Sequence, residues 1–320
     1  MNTRVIAALK GVAVGDAIGK QTETLSREKV QRWYPGGITG FEGVPGSVIP
    51  RYVGNRKREW RVGETTDDTE ATLAVARAVL ADGGVRHAVI GRELLTCRKS
   101  VHPGVASLWE FHQAGDPERI AERHDGCGAA IRVAPVGVLY RSDRLDDIVA
   151  ASREAAIPTH GGPLALAAAA ATAAAVSAAI DGASGPDIFS LAERAAAMSE
   201  RRRGGAGETG FAAAMRQVRV LLCEWGALHP DSLASRCFPA TPLTIVPLAL
   251  ALGTIVDSAE DAMLTAANVG GDSDSVASIA GAILGARAPD TVPDEWYAIV
   301  ESVNGHDMVQ VAAQLGRLRR

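Results

Sequence analysis

The sequence predicts an all-α fold, and three observations carry that prediction. Segments rich in strong helix formers place apolar residues at three- and four-residue spacing. Runs rich in β-branched or aromatic residues are scarce, and aromatics make up only 4% of the 320 residues, too few for an ordinary set of strands. Gly- and Pro-containing breaks then cut the helical pattern into pieces of ordinary length.

In chain order, the opening MNTRVIAALKGVAVGDAIG is interrupted by Arg4, Lys10 and Asp16 and lacks the apolar block and cleavage site of a secretory signal. GGITGF around Ile38 is the best strand candidate. ATLAVARAVLADGG, beginning at Ala71, reads as an amphipathic helix. The longest apolar stretch, Leu164 to Ile180, is mostly alanine with Thr172 and Ser177, so its transfer into lipid is weakly driven and it reads as a core helix. SLAERAAAMSE, FAAAMRQVRVLLCEWG and MVQVAAQLGRLRR carry further helices. The breaks PGGITGFEGVPG, DGASGPD, RRRGGAGETG and FPATPLTIVP are too short for interdomain linkers, so residues 1–320 are expected to form one domain.

Lys plus Arg total 33 against 37 Asp plus Glu, a net charge of -4 without a sustained basic block, which argues against nucleic acid as a partner; no membrane association is expected either. The dense basic run Arg201 to Arg203 stands beside glycines and reads as a solvated loop. Cys97, Cys127, Cys223 and Cys237 form no CxxC pair, which excludes a zinc cluster or redox pair and fits reduced thiols in a cytoplasmic protein.

Two helix starts are unusually acidic. GETTDDTEATLAVARAVL places Thr66, Asp67, Asp68 and Thr69 before one helix, and NVGGDSDSVASIAGAILGA places Asp272, Ser273, Asp274 and Ser275 before another. Either start alone is explained by capping, since Ser, Thr and Asp suit a helix N-terminus. The repetition is not, because a cap needs one oxygen and each start offers more. If the two starts meet, four carboxylates crowd together and require protonation or bound cations. Carboxylate and hydroxyl donors without clustered Cys or His select magnesium or manganese, and two ions are a natural count. Gly63, Gly270 and Gly271 flank the clusters and would let the backbone bend and a ligand approach.

With these motifs in view, the chain resembles the ADP-ribosylglycohydrolase family. GVAVGDAIGKQTE from Gly11, TTDDTEATLAVA, GCGAAIRVAPVG from Gly126, PTHGGPLALAAAAA from Pro158 and GGDSDSVASIAGAILGA match family segments in the right order. The resemblance implies an orthogonal helical bundle with a binuclear Mg2+ or Mn2+ centre at the base of a cleft. It puts Thr66, Asp67, Asp68, Asp272, Asp274 and Ser275 on metal-ligand positions and Glu23 on a flap governing access. Asp16 is expected to brace the first helix. Ser275 stands where the family usually has threonine and keeps the hydroxyl. Cys127 stands where asparagine is common, and Gln21 replaces a proline.

Cleavage of a ribosyl bond passes through an oxocarbenium-like state and needs a held ribose, an oriented water and help for the leaving group. Cations can grip ribose hydroxyls and acidify water, with Asp272 or Glu23 as base or proton carrier. His160, before two glycines at a helix start, is expected to contact substrate, with a diphosphate meeting backbone N–H groups there. Gly126, Gly128 and Gly161 would permit close approach of the nucleotide, around Cys127. The acceptor is expected to be a protein side chain, arginine before serine; a small ADP-ribosyl conjugate, or a silent ADP-ribose-binding protein, are the alternatives.

Overall fold

The computed structural model describes residues 2–41, 51–53, 56–58, 60–202, 210–224, 229–236 and 241–320. The helices are α1 (Asn2–Gly19), α2 (Arg27–Trp33), α3 (Asp67–Asp82), α4 (His87–Leu94), α5 (Ala106–Ala114), α6 (Gly128–Ile131), α7 (Ala134–Leu139), α8 (Leu145–Ala156), α9 (Pro163–Ile180), α10 (Gly185–Arg202), α11 (Phe211–Glu224), α12 (Pro230–Arg236), α13 (Pro242–Ile255), α14 (Ala259–Val269), α15 (Ser273–Arg287), α16 (Asp294–Asn304) and α17 (Met308–Arg317). The all-α expectation holds, with a short antiparallel ribbon, β1 (Arg51–Val53) and β2 (Arg56–Arg58), as an addition.

The ribbon is not where the sequence placed its best strand candidate. Residues 36–41 form a turn and irregular chain, with Gly37 at φ 78°. The amide of Asn268 takes up the backbone there, accepting from Ile38 N at 2.8 Å and donating to Ile38 O at 2.9 Å. A side chain remote in sequence thus supplies the pairing that a strand partner would have given.

Helix α9 is the central element. Every residue from Ala165 to Ile180 is buried, and α7, α8, α10 and α15 pack around it. By length and composition it could cross a membrane; within this bundle it is the core helix that its alanine content suggested. Arg201 and Arg202 belong to the last turn of α10 rather than to a loop, because helix formers continue into the basic run; Arg203 lies outside the described residues, as does Cys237.

The contact that positions the site is between α1 and α15. Gly11, Gly15 and Gly19 recur every fourth residue on one face of α1, and an added Cβ on them would overlap Gly281 O, Ala277 O and Ser273 O. Gly281 and Gly285 meet Gly11 O and Ala7 O in the same way. Backbone therefore lies against backbone along the crossing, and the acidic start of α15 is held beside the C-terminal end of α1.

Candidate active site

At the start of α3, Thr66 is the N-cap and its Oγ1 accepts the Asp68 N–H at 3.1 Å. Asp16 reaches across from α1 and accepts the N–H groups of Thr66, at 3.0 and 2.9 Å, and Thr69, at 3.1 Å, together with the Thr69 hydroxyl. The brace expected of Asp16 thus falls on α3. With Thr66 and Asp16 meeting the capping need, the carboxylates of Asp67 and Asp68 are released for other use. Asp67 accepts a hydrogen bond from Ser100 Oγ at 2.7 Å, and Asp68 Oδ2 is buried without a partner.

At the start of α15, Asp272 occupies the N-cap position but makes no side-chain cap. Ser273 turns toward α1, donating to Gly19 O at 2.8 Å and meeting Thr22 Oγ1 at 3.0 Å. Asp272, Asp274 and Ser275 turn the other way, into a cavity of about 370 Å3 whose wall also includes Asp67, Asp68 and Glu23. The two acidic starts therefore share one pocket. Asp274 Oδ1 is a second buried carboxylate oxygen without a hydrogen-bond partner.

Burial is the main cause that raises these acids, and their mutual charge adds to it. Asp274 is pushed up to about 7, against the lowering influence of Lys20 and with the neighbouring charge of Asp272. Asp68 is pushed well above the carboxylate range by burial and then by the charge of Asp274. Asp16 rises to about 6, by burial and Asp274, despite its hydrogen bonds from Thr69 and Thr66. Among the described residues no three His, Cys, Asp or Glu side chains are already drawn together as an ion cage. The donor set nevertheless fits a hard divalent cation. It is made of oxygens, and of the three buried carboxylate oxygens without a hydrogen bond, Asp68 Oδ2, Asp274 Oδ1 and Glu23 Oε2, only the last has an ion-pair partner among the described residues, Lys20.

Glu23 lies just past a 3-10 turn (Lys20–Thr22) and is tied to the start of α15. It forms an isolated parallel bridge with Gly271; Thr24 N donates to Gly271 O at 2.6 Å, and Gly271 N to Leu25 O at 2.8 Å. Its carboxylate pairs with the buried ammonium of Lys20. Gly270 and Gly271 have positive φ, and a Cβ on Gly270 would press on Leu25 O at 2.5 Å, so these glycines let two chain segments join and do not line the cavity.

The opposite wall is formed around His160. Arg132 is buried and donates to Ala155 O, Ala156 O and Thr159 Oγ1, the last at 2.8 Å. Thr159 Oγ1 in turn meets His160 Nδ1 at 2.7 Å. Thr159 accepts from Arg132 and passes its own proton to Nδ1, which assigns the Nε2–H tautomer to His160. That N–H lies 3.3 Å from Ser107 Oγ, and both residues line the cavity. Burial, then the charge of Arg132, holds His160 well below its usual value, so the ring is neutral. Gly126 and Gly128 pack against this ring, with a Cβ on either falling within 3.0 Å of it. Cys127 between them donates from Sγ to Asp272 Oδ2 at 3.3 Å, its thiol raised by burial and then by Asp272.

One expectation is corrected. The backbone N–H groups at the start of α9 do not await a diphosphate: Asp125 Oδ1 accepts from Leu164 and Ala165, and Gly161 and Gly162 donate to Arg123 O and His124 O. Gly161 lies against Ala121 O with no room for a Cβ and is absent from the cavity wall. Thr66, used as a cap, stands behind Asp67 and Asp68. Lys20, Ser100, Ser107, Arg132 and Thr159 were missed at the sequence level. Each gains its place through a contact remote in the chain, and only the adjacency of Thr159 to His160 was visible in advance.

Comparison with known proteins bears on this geometry. A family model described as ADP-ribosylglycohydrolase matches residues 1–320. The Escherichia coli protein YegU, described as uncharacterized, is 29% identical over 99% of this chain and 97% of its own. The ADP-ribosyl-[dinitrogen reductase] glycohydrolase of Rhodospirillum rubrum is 22% identical over 93% of this chain and 90% of its own. The ADP-ribosylarginine hydrolase Tri1 of Serratia proteamaculans is 26% identical over 90% and 73%. A solved structure titled ADP-ribosylglycohydrolase-related protein complex superposes with a TM-score of 0.72, at 25% identity, over 100% of this chain and 99% of that one.

Proposed function

Because this chain belongs to the ADP-ribosylglycohydrolase family, and is thereby a hydrolase of ADP-ribosyl linkages, we propose that it releases ADP-ribose from modified arginine side chains at a magnesium- or manganese-dependent centre. The observation that carries the metal reading is the meeting of Asp68 Oδ2 and Asp274 Oδ1, two buried and unpartnered carboxylate oxygens, in one cavity. An uncompensated buried carboxylate is costly, and a hard cation is the partner that suits oxygen donors. Arginine is favoured as acceptor by the activity named for the Serratia relative.

Asp67, Asp68, Asp274 and Ser275 would hold the cation. When bound, it would grip the ribose hydroxyls and acidify water. Asp272 is the base in this reading. It faces the cavity and accepts the weak Cys127 thiol, whereas Glu23 is occupied by Lys20. A base so placed can take a proton from the attacking water as the sugar develops oxocarbenium character. His160 Nε2–H, held by Thr159 and Arg132, offers a fixed donor to an oxygen of the substrate from the facing wall. Ser107 beside it offers a hydroxyl. The apolar wall of Leu94, Val105 and Leu108 excludes water from the remainder of the ligand.

The test is release of free ADP-ribose from an arginine-ADP-ribosylated protein, followed by chromatography. The expected result is release that requires Mg2+ or Mn2+ and is lost in Asp272→Ala. Turnover of small ADP-ribosyl conjugates alone would contradict the protein acceptor, and turnover in the presence of chelator would contradict the metal.

A further inference from the structure

The acidic pocket already contains a positive charge of its own. Lys20, in the 3-10 turn just past α1, is only 5% exposed. Its ammonium pairs with Glu23 and stands 3.9 Å from Asp274 Oδ2. Among the described residues no cation lies within ion-pairing range of Asp67, Asp68 or Asp272. The pocket is therefore divided. On the Glu23 side a protein ammonium compensates the carboxylates; among the described residues none does so on the Asp67 and Asp68 side. Asp274 spans the division, with Oδ2 toward Lys20 and Oδ1 buried and unpartnered.

We propose that Lys20 is a built-in counter-ion that takes the place of one divalent cation, so that this chain binds a single Mg2+ or Mn2+ between Asp68 and Asp274 Oδ1. The inference rests on the metal reading above and refines its stoichiometry. Its physical basis is that the Lys20 ammonium already compensates the Glu23 and Asp274 carboxylates that a second divalent cation would need, and repels such a cation at close range. A buried ammonium is itself retained only where carboxylates hold it, which Glu23 and Asp274 do. Lys20 is also confined: it is buried, its backbone lies in the 3-10 turn and its carbonyl accepts the Glu23 N–H.

The experiment is a titration of chelator-treated, full-length protein with MnCl2, counting bound ions by loss of the free Mn2+ electron paramagnetic resonance signal and by calorimetry. The wild type and Lys20→Arg, which keeps the charge, are expected to bind one Mn2+ per chain. Lys20→Met, which keeps the length and removes the charge, is expected to bind two, with Lys20→Gln as a second neutral variant if circular dichroism shows Lys20→Met unfolded. Two ions in the wild type overturn the proposal and leave the metal reading standing. One ion in both the wild type and the neutral variants also overturns it. No bound Mn2+ in any of them overturns the metal reading and this proposal with it.

Discussion

Asp16 on α1 accepts the backbone N–H of Thr66 through both carboxylate oxygens, at 3.0 and 2.9 Å, across a separation of 50 residues. Through that contact one acid satisfies the start of α3, and two others, Asp67 and Asp68, are left to face the cavity. Removing it in Asp16→Ala strands buried donors on Thr66 and Thr69, so a loss of about 2 to 3 kcal/mol in urea unfolding is expected. An unchanged unfolding midpoint would contradict the bracing role.

The close crossing of α1 and α15 should tolerate no side chain. Gly11→Ala, remote from the acidic pocket, sets a methyl group onto Gly281 O and is expected to destabilise the fold by roughly 2 kcal/mol or more through overpacking. Thermal denaturation measures this; a melting temperature equal to that of the wild type would mean that the helices are free to separate.

The raised acids make cation-free stability depend on pH. Asp274 titrates near 7 and Asp16 near 6 in the fold, against about 3.8 unfolded. The folded state binds more protons in that window, so stability is fully present below about pH 4 as far as these groups are concerned and is lost as pH rises toward 7. A bound cation favours the ionised form. The rise in melting temperature given by Mg2+ should therefore be larger at pH 8 than at pH 5, and a rise of equal size at both would contradict coupling between these acids and the metal.

Thr159 positions His160 and is not itself proposed to touch the reacting atoms. Thr159→Val removes the hydroxyl that joins Arg132 to His160 Nδ1. The 15N chemical shifts of His160 should change from those of an Nε2–H ring to a mixture of tautomers, with KM rising roughly tenfold, about 1.4 kcal/mol. Thr159→Ser should restore both. Unchanged nitrogen shifts in Thr159→Val would remove the tautomer assignment.

Much of this was legible in the sequence, for identifiable reasons. The helical period is local, so the all-α fold and the buried alanine helix α9 could be read directly. The acidic starts of α3 and α15 could be singled out because they carry more carboxylates than capping uses, and the fold shows Thr66 and Asp16 taking the capping work. Interactions that join remote segments were hidden. Ile38 lost its strand to a side chain at Asn268, the start of α9 was closed by Asp125, and Lys20, which looks like an ordinary helix-end lysine, is buried among acids.

In the function proposed above, the starts of α3 and α15 form one cation site. Anomalous scattering from a crystal grown with Mn2+ tests it most directly. A manganese peak is expected in the cavity, within coordination distance of Asp68 Oδ2 and Asp274 Oδ1. A crystal with Mn2+ bound elsewhere, or with none in that cavity at saturating concentration, would contradict it.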